Sequence, residues 1–326
     1  MKVFFLPSYV SRAPSTRMRV YKVAEFLQKL NQPLEILPYN LTIEEKHKRL
    51  ASVQSGDILY VQKWRTEFNA VEHLQRYKGK CKLIFDMDDH TGDPQALELI
   101  KLADALVVGN HFLYNLYKNQ NKPCFIVPTP VDLDEYPKFA GEGSLSISLA
   151  KCGIGPQMGA LKKLKESLCQ LHQEYGYILI LAGFDNGADT QVARGLFSFA
   201  QCLPLRTYEC YLKETVPILQ RTTVGISPFT KKDNGKSGHS VLANLAMGVP
   251  CVTTKFAECE YIIQDGVNGF LVESGDWYNV IKRVFDSPEL RSKVRQAGWD
   301  TIRSKYDTAI IANKLSALFA RMKDEI

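Results

Sequence analysis

Short, unbroken apolar runs alternate with segments of helical period along most of this chain, and that alternation restricts the folds open to it. The runs at 3–6, 36–37, 58–61, 83–85, 105–108 and 125–127 are too short for helices and apolar at successive positions. A strand with consecutive apolar residues is buried on both faces, which is the signature of a parallel sheet covered by helices. The segments between them fit that role. Val20, Val23, Ala24, Leu27 and Leu30 fall on one helical face, and 70–77, 96–102 and 112–118 also read as helices. The pattern fades near 137–144, where Gly141 and Gly143 suggest a linker, and then restarts. Strands are expected at 145–149, 178–182, 224–226 and 251–254, a further one ends at Val272, and helices follow over 277–285, 288–306 and 308–323. At 326 residues and 45% apolar content, two α/β domains can each bury a core. The expected division is 1–137, 144–305 and a terminal helix over 306–326. Two doubly wound halves of similar size leave a cleft between them, and ligands of such sheets bind at the carboxyl ends of the strands.

The charge is mildly basic, at +6, and is not gathered into a tail. It suits an anionic ligand or surface; a nucleic-acid partner is allowed by it but not indicated. The eight cysteines form no C-x-x-C pair and follow no metal-ligand spacing, so reduced core residues are expected. The apolar start is cut off by Pro7 before it reaches the length of a signal peptide, and no run is long enough to span a membrane. A cytoplasmic protein is the expectation.

The stretch 228–272 carries the chemistry. Asn234-Gly235-Lys236-Ser237-Gly238-His239-Ser240 is a polar, glycine-bearing loop opening into a helix whose apolar stripe is Val241, Leu242, Leu245 and Ala246. Ser237 or Ser240 is the expected N-cap, and Gly248 with Pro250 the stop. Free N–H groups and the positive end of the helix dipole make such a start an anion site, with Lys236 beside it. The same string also reads as an ordinary surface loop before a core helix.

Together these residues are similar to the family-4 retaining glycosyltransferases of GT-B fold. The resemblance rests on GKSGHSVLANLAMGVPCVTT, the ending EYIIQDGVNGFLV, the strand end Asp86-Met87-Asp88-Asp89, and the pair ADALVV and IVPTPVD, in that order along most of the chain. It implies two Rossmann-like domains facing a central cleft, an acceptor side in the first and a nucleotide-sugar site in the second. It also implies a last helix crossing back to the first domain, no metal and no resident cofactor. The implied reaction moves a sugar from a nucleotide diphosphate, most readily a UDP-sugar, to an acceptor hydroxyl of a glycan, a lipid or a modified nucleobase in DNA. Retention through a front-face route needs no protein nucleophile.

By this resemblance Gly235, Lys236, Ser237, Gly238, His239 and Ser240, with Arg17 and Lys151, are the candidates for the donor phosphates. Asp88, Asp89 and His90 are the candidate catalytic group, and Glu260 lies on the donor-sugar side. Asp88 and Asp89 could equally cap a solvated turn, and Arg17 or Arg19 could pair with Glu25. Asp265, Gly266, Asn268 and Gly269 are expected to build a turn. Two features depart from the family: its paired glutamates fall at Gly235 and Ala243, and its second phosphate cation at Met158. A catalytically silent homologue serving as a binding subunit is therefore an alternative. A dinucleotide oxidoreductase is another, through Gly153, Gly155, Gly159 and Asp185.

Overall fold

The computed structural model describes the chain except residues 90–91, 137–140, 142, 151–156, 185–186, 205–206, 274 and 325–326. Most of the expected linker, His90, Lys151, Gly153, Gly155 and Asp185 therefore lie outside the described residues. The chain divides into two compact units: Met1–Asp132 with Gly235–Ser237 and Tyr306–Ile326, and Leu133–Asn234 with Gly238–Lys305.

The first unit is built on six strands: β1 Val3–Leu6, β2 Leu34–Ile36, β3 Ile58–Gln62, β4 Lys82–Met87, β5 Ala105–Val108 and β6 Cys124–Ile126. They pair in the order β2-β1-β3-β4-β5-β6, all parallel, with Phe5 opposite Tyr60, Val61 opposite Phe85 and Val107 opposite Phe125. Because side chains alternate across a strand, the sheet feeds two cores. Phe4, Leu59, Val61 and Phe85 point into one, with Leu99, Ile100 and Leu113 from helices. Phe5, Ile58, Tyr60 and Val107 point into the other, under Val20, Val23 and Leu27 and under Ile311, Leu315 and Phe319 of the helix Thr308–Asp324. Burying each such aromatic or branched side chain contributes about 1.5–3 kcal/mol. The last helix enters this unit through backbone bonds from Val131 N–H to Tyr306 O and from Thr308 N–H to Val131 O.

One buried ion pair ties three parts of this unit together. The helical segment after β1 contains a π-helical stretch, Arg17–Lys22, and its Arg19 is only 2% exposed. Arg19 Nε donates to Asp86 Oδ2 at 2.9 Å, and Nη2 donates to Oδ1 of the same carboxylate. Nη1 reaches Val127 O at 2.9 Å and Thr129 Oγ1 at 3.2 Å. Burial pushes the Asp86 carboxyl up, against the pull of Arg19. Glu25, the alternative partner for an arginine of this segment, lies 3.7 Å from Lys22 Nζ.

The second unit repeats the plan with β7 Ser146–Ala150, β8 Ile178–Ala182, β9 Ala200–Leu203, β10 Val224–Ser227, β11 Cys251–Thr254 and β12 Phe270–Val272. The order is β12-β11-β10-β7-β8-β9, again parallel throughout. Its main core joins Ile147, Leu149, Leu181, Ile226 and Val252 to Leu164, Leu168 and Leu171, and to Ile281 and Val284. The α/β architecture with two doubly wound sheets is the one expected. β9 escaped the sequence reading because it is an edge strand and only half-buried, so its residues lack a continuous apolar run. The helix Ile43–Arg49 escaped as well, although Thr42 and Glu45 spell a capping box: Glu45 N–H donates to Thr42 Oγ1 and Thr42 N–H to Glu45 Oε2.

Two outcomes follow for the first unit. Arg19→Leu strands the Asp86 charge in a dry core and should lower unfolding free energy by roughly 3–5 kcal/mol, while Arg19→Leu/Asp86→Leu should recover most of it; urea titration reads both. His47 lies beside His73, with ring centroids 5.7 Å apart and the rings tilted, and its Nδ1 meets Tyr77 Oη at 2.7 Å. Burial, Arg76 and His73 lower its pKa in the fold, so below about pH 6.5 the unfolded chain takes up the proton first. The melting temperature should hold above that pH and fall as the solution is acidified toward the folded value. His47→Gln should flatten this dependence.

Candidate functional site

Each sheet has one place where its connections diverge. In the first unit β2 and β3 lie on either side of β1, and in the second β10 and β8 lie on either side of β7. Helices leave such a point in opposite directions and open a crevice at the carboxyl ends of the strands. The residues that follow those ends are the ones to examine.

In the first unit they form a dense polar network. Ser8, after β1, sends its hydroxyl to Gln62 O, and Thr16 Oγ1 donates to Gln62 Oε1 at 2.9 Å. Asn69 Nδ2 donates to Lys63 O at 3.1 Å and Gln62 O at 3.3 Å. Ser8, Thr16, Gln62 and Asn69 are all fully buried. At the end of β4, Asp88 lies 2.6 Å and Asp89 3.4 Å from Lys63 Nζ. Burial opposes the charge on Asp88, but Lys63 and Arg19 prevail and hold its pKa below the usual carboxylate value. Asp88 and Asp89 thus sit together, on a lysine that the sequence reading did not single out. Arg17 is half-buried at the start of the π-helical stretch.

In the second unit β7 runs out into Lys151, outside the described residues. β10 leads to a short helical turn, Lys231–Asp233, closed by Thr230 and Asp233, whose carboxylate accepts from Thr230 N–H at 2.8 Å. Phe229 N–H donates to Thr254 Oγ1 at 2.9 Å and fastens this segment to β11. The chain then passes through Gly235–Ser237, which count with the first unit, and returns at Gly238; Gly235 has φ +85° and Gly238 φ +66°, and the helix His239–Ala246 begins. The N-cap is Gly238, with no side-chain cap bond, in place of the expected Ser237 or Ser240. A capping hydroxyl would have consumed an N–H at the helix start; here none does. Lys236 is exposed, Ser237, His239 and Ser240 are half-buried, and Gly235 is buried.

Gly238 is favoured first by its backbone. Its left-handed backbone disfavours any side chain, and a Cβ there would stand 2.6 Å from Ile262 Cδ1 and 3.8 Å from Glu258 Cγ. Glu258 is 3% exposed, whereas the predicted Glu260 is exposed on the helix Cys259–Ile262. The carboxylate residue packed beside the loop is therefore Glu258, which no sequence spacing marked. Asp265 and Asn268 build their turn as expected: Leu271 N–H donates to Asp265 Oδ1 and Gln264 N–H to Asn268 Oδ1. Ala243 is buried in the helix and offers no polar group. Among the described residues no group of three or more His, Cys, Asp or Glu is placed to hold a metal ion. No described helix is long and apolar enough to cross a membrane.

Comparison with known proteins bears on the fold and the family. The family model described as glycosyl transferases group 1 matches residues 157–286. No curated protein matches the chain by sequence. Among solved structures, a glycosyltransferase from Rickettsia africae superposes with a TM-score of 0.76 at 13% identity, over 98% of each chain. Sucrose-phosphate synthase from Thermosynechococcus elongatus gives 0.72 at 11% identity over 100% of both chains. HepE from Anabaena, solved with UDP-glucose, gives 0.68 at 13% identity over 98% of this chain and 100% of its own. The fold is that of GT-B glycosyltransferases, and the segment holding the glycine loop and the helix after it is similar to the group 1 glycosyltransferase family.

Proposed function

We propose that this protein is a retaining glycosyltransferase that takes a UDP-sugar and transfers its sugar to an acceptor hydroxyl. The observation that carries the reading is the glycine loop. Gly235 and Gly238 take positive φ, and the uncapped start of the helix His239–Ala246 follows them, inside the segment that matches the glycosyltransferase family. Backbone N–H groups fixed in this way stabilise a diphosphate as it leaves, without reorganising when charge develops. Lys236 adds a cation, and His239 and Ser240 add polar side chains at the first helical positions. HepE, of the same fold, was solved with UDP-glucose, which favours uridine as the donor base.

In this reading Asp88 and Asp89 serve the acceptor side in the first unit. Glu258, buried beside Gly238, replaces one of the carboxylates that the family places at Gly235 and Ala243. The departing phosphate takes the acceptor proton on the same face of the sugar, so no side chain has to form a covalent intermediate. The acceptor is a hydroxyl-bearing glycan, lipid or modified nucleobase.

A thermal-shift panel with UDP, GDP, ADP, dTDP, CDP and NAD tests the donor. A ligand at a hundredfold its Kd stabilises by about 2.7 kcal/mol, so UDP should raise the melting temperature and the others should not. A shift with NAD alone would replace the transferase with an oxidoreductase, and no shift at all would favour a silent homologue. Lys236→Ala should weaken UDP binding by about 1–2 kcal/mol while leaving the melting temperature of the free protein unchanged, because it removes one exposed charge and no core volume. Gly238→Ala should do both: strain at φ +66° costs about 1–2 kcal/mol of stability, and the displaced helix start binds UDP less well.

A further inference from the structure

Lys63 follows β3 in a conformation that lysine seldom takes. Its φ is +57°, a left-handed backbone that costs a residue with a Cβ about 1–2 kcal/mol. The surroundings enforce it: Lys63 N–H donates to Asp86 O at 2.9 Å, and its carbonyl accepts from Asn69 Nδ2 at 3.1 Å. The side chain is 7% exposed, and its single ammonium serves two carboxylates. It lies 2.6 Å from Asp88 Oδ1 and 3.4 Å from Asp89 Oδ2, where it donates a long hydrogen bond.

The two partners differ in freedom. Asp88 is 6% exposed at its side chain and is wedged from behind, since a Cβ on Gly109 would stand 2.8 Å from Asp88 Cα. Asn110 Nδ2 also reaches Asp88 O, at 3.4 Å. Asp89 is 34% exposed and has no comparable wedge among the described contacts. One positive charge against two negative ones leaves a net negative charge, and it emerges at the exposed carboxylate. Asp86, the third acid of the run, is bound by Arg19.

We infer that Lys63 is a positioning residue: Asp88 is its fixed counter-ion, and through the shared ammonium it aims Asp89 as the carboxylate that accepts a hydrogen bond from an acceptor hydroxyl. The inference rests on the transferase reading and divides its acceptor side into a buried pair and one substrate-facing acid. No proton is transferred in this step. Asp89 holds the hydroxyl group in place, and Lys63 limits the directions that the Asp89 side chain can take.

The decisive variant is Lys63→Met/Asp88→Asn, because Lys63→Met alone leaves a buried charge unpaired and puts folding at risk. Both proteins are labelled at the aspartate carboxyl carbons and titrated with glycerol and with methyl α-glucoside while the Asp89 resonance is followed. UDP binding and UDP-glucose turnover are measured with the same polyols. In the wild type the polyols should shift the Asp89 resonance. In the double variant that response should weaken at least tenfold and the KM for polyol should rise by a similar factor, with UDP affinity unchanged. A double variant with wild-type polyol response and KM would overturn the inference, since Lys63 would then only neutralise Asp88. Absence of any polyol response at Asp89 in the wild type would overturn it too. A wild-type protein that shows the Asp89 response yet neither binds UDP nor cleaves UDP-glucose would refute the transferase reading instead.

Discussion

The ion pair of Arg19 with Asp86 is the constraint on which the arrangement of acids in the first unit depends. Two charges removed from water are tolerated only when each finds several partners, and the guanidinium here meets a carboxylate, a backbone carbonyl and a hydroxyl at once. That contact fastens the helical segment after β1 to the end of β4 and to the chain just beyond β6. The position of Asp88 and Asp89 is set as a consequence, because they follow a strand whose last turn inward is locked. The acids of the run Asp86-Met87-Asp88-Asp89 thus receive different environments within four residues. Asp86 is bound by an arginine, Asp88 by a lysine and a wedge, and Asp89 looks outward.

The second unit solves a different problem with backbone alone. The helix His239–Ala246 opens from a left-handed glycine with no side-chain cap, and Val241 N–H closes its first turn on Gly238 O. The loop is not floppy for that reason. Thr230 and Asp233 close the turn before it, Phe229 is bonded to Thr254, and Ile262 and Glu258 pack where a Gly238 side chain would go. In the proposed function this rigid frame suits an anion, because donors fixed in advance need not reorganise when charge develops.

Much of this was legible in the order of residues, and the reason is local. Continuous apolar runs separated by helical stripes can only be parallel strands under helices, so the two sheets followed from period and run length alone. The edge strand β9 did not follow, because an edge strand is half-solvated and its residues carry no such run. The serines of the glycine loop looked like caps because serine is a favoured N-cap residue, but the cap position has φ +66°, a left-handed backbone that glycine takes readily.

Sequence by itself therefore determined two doubly wound units and a glycine-bearing loop ahead of a helix, since both depend on near neighbours: side-chain period and the freedom of glycine at positive φ. Tertiary structure alone decided which acid faces outward and which carboxylate stands beside the loop. Arg19 is 67 residues from Asp86 in the chain and Lys63 is 26 from Asp89, and Glu258 approaches Gly238 across the fold. Burial and pairing between such distant residues set the charge of each group, and no spacing in the sequence encodes them.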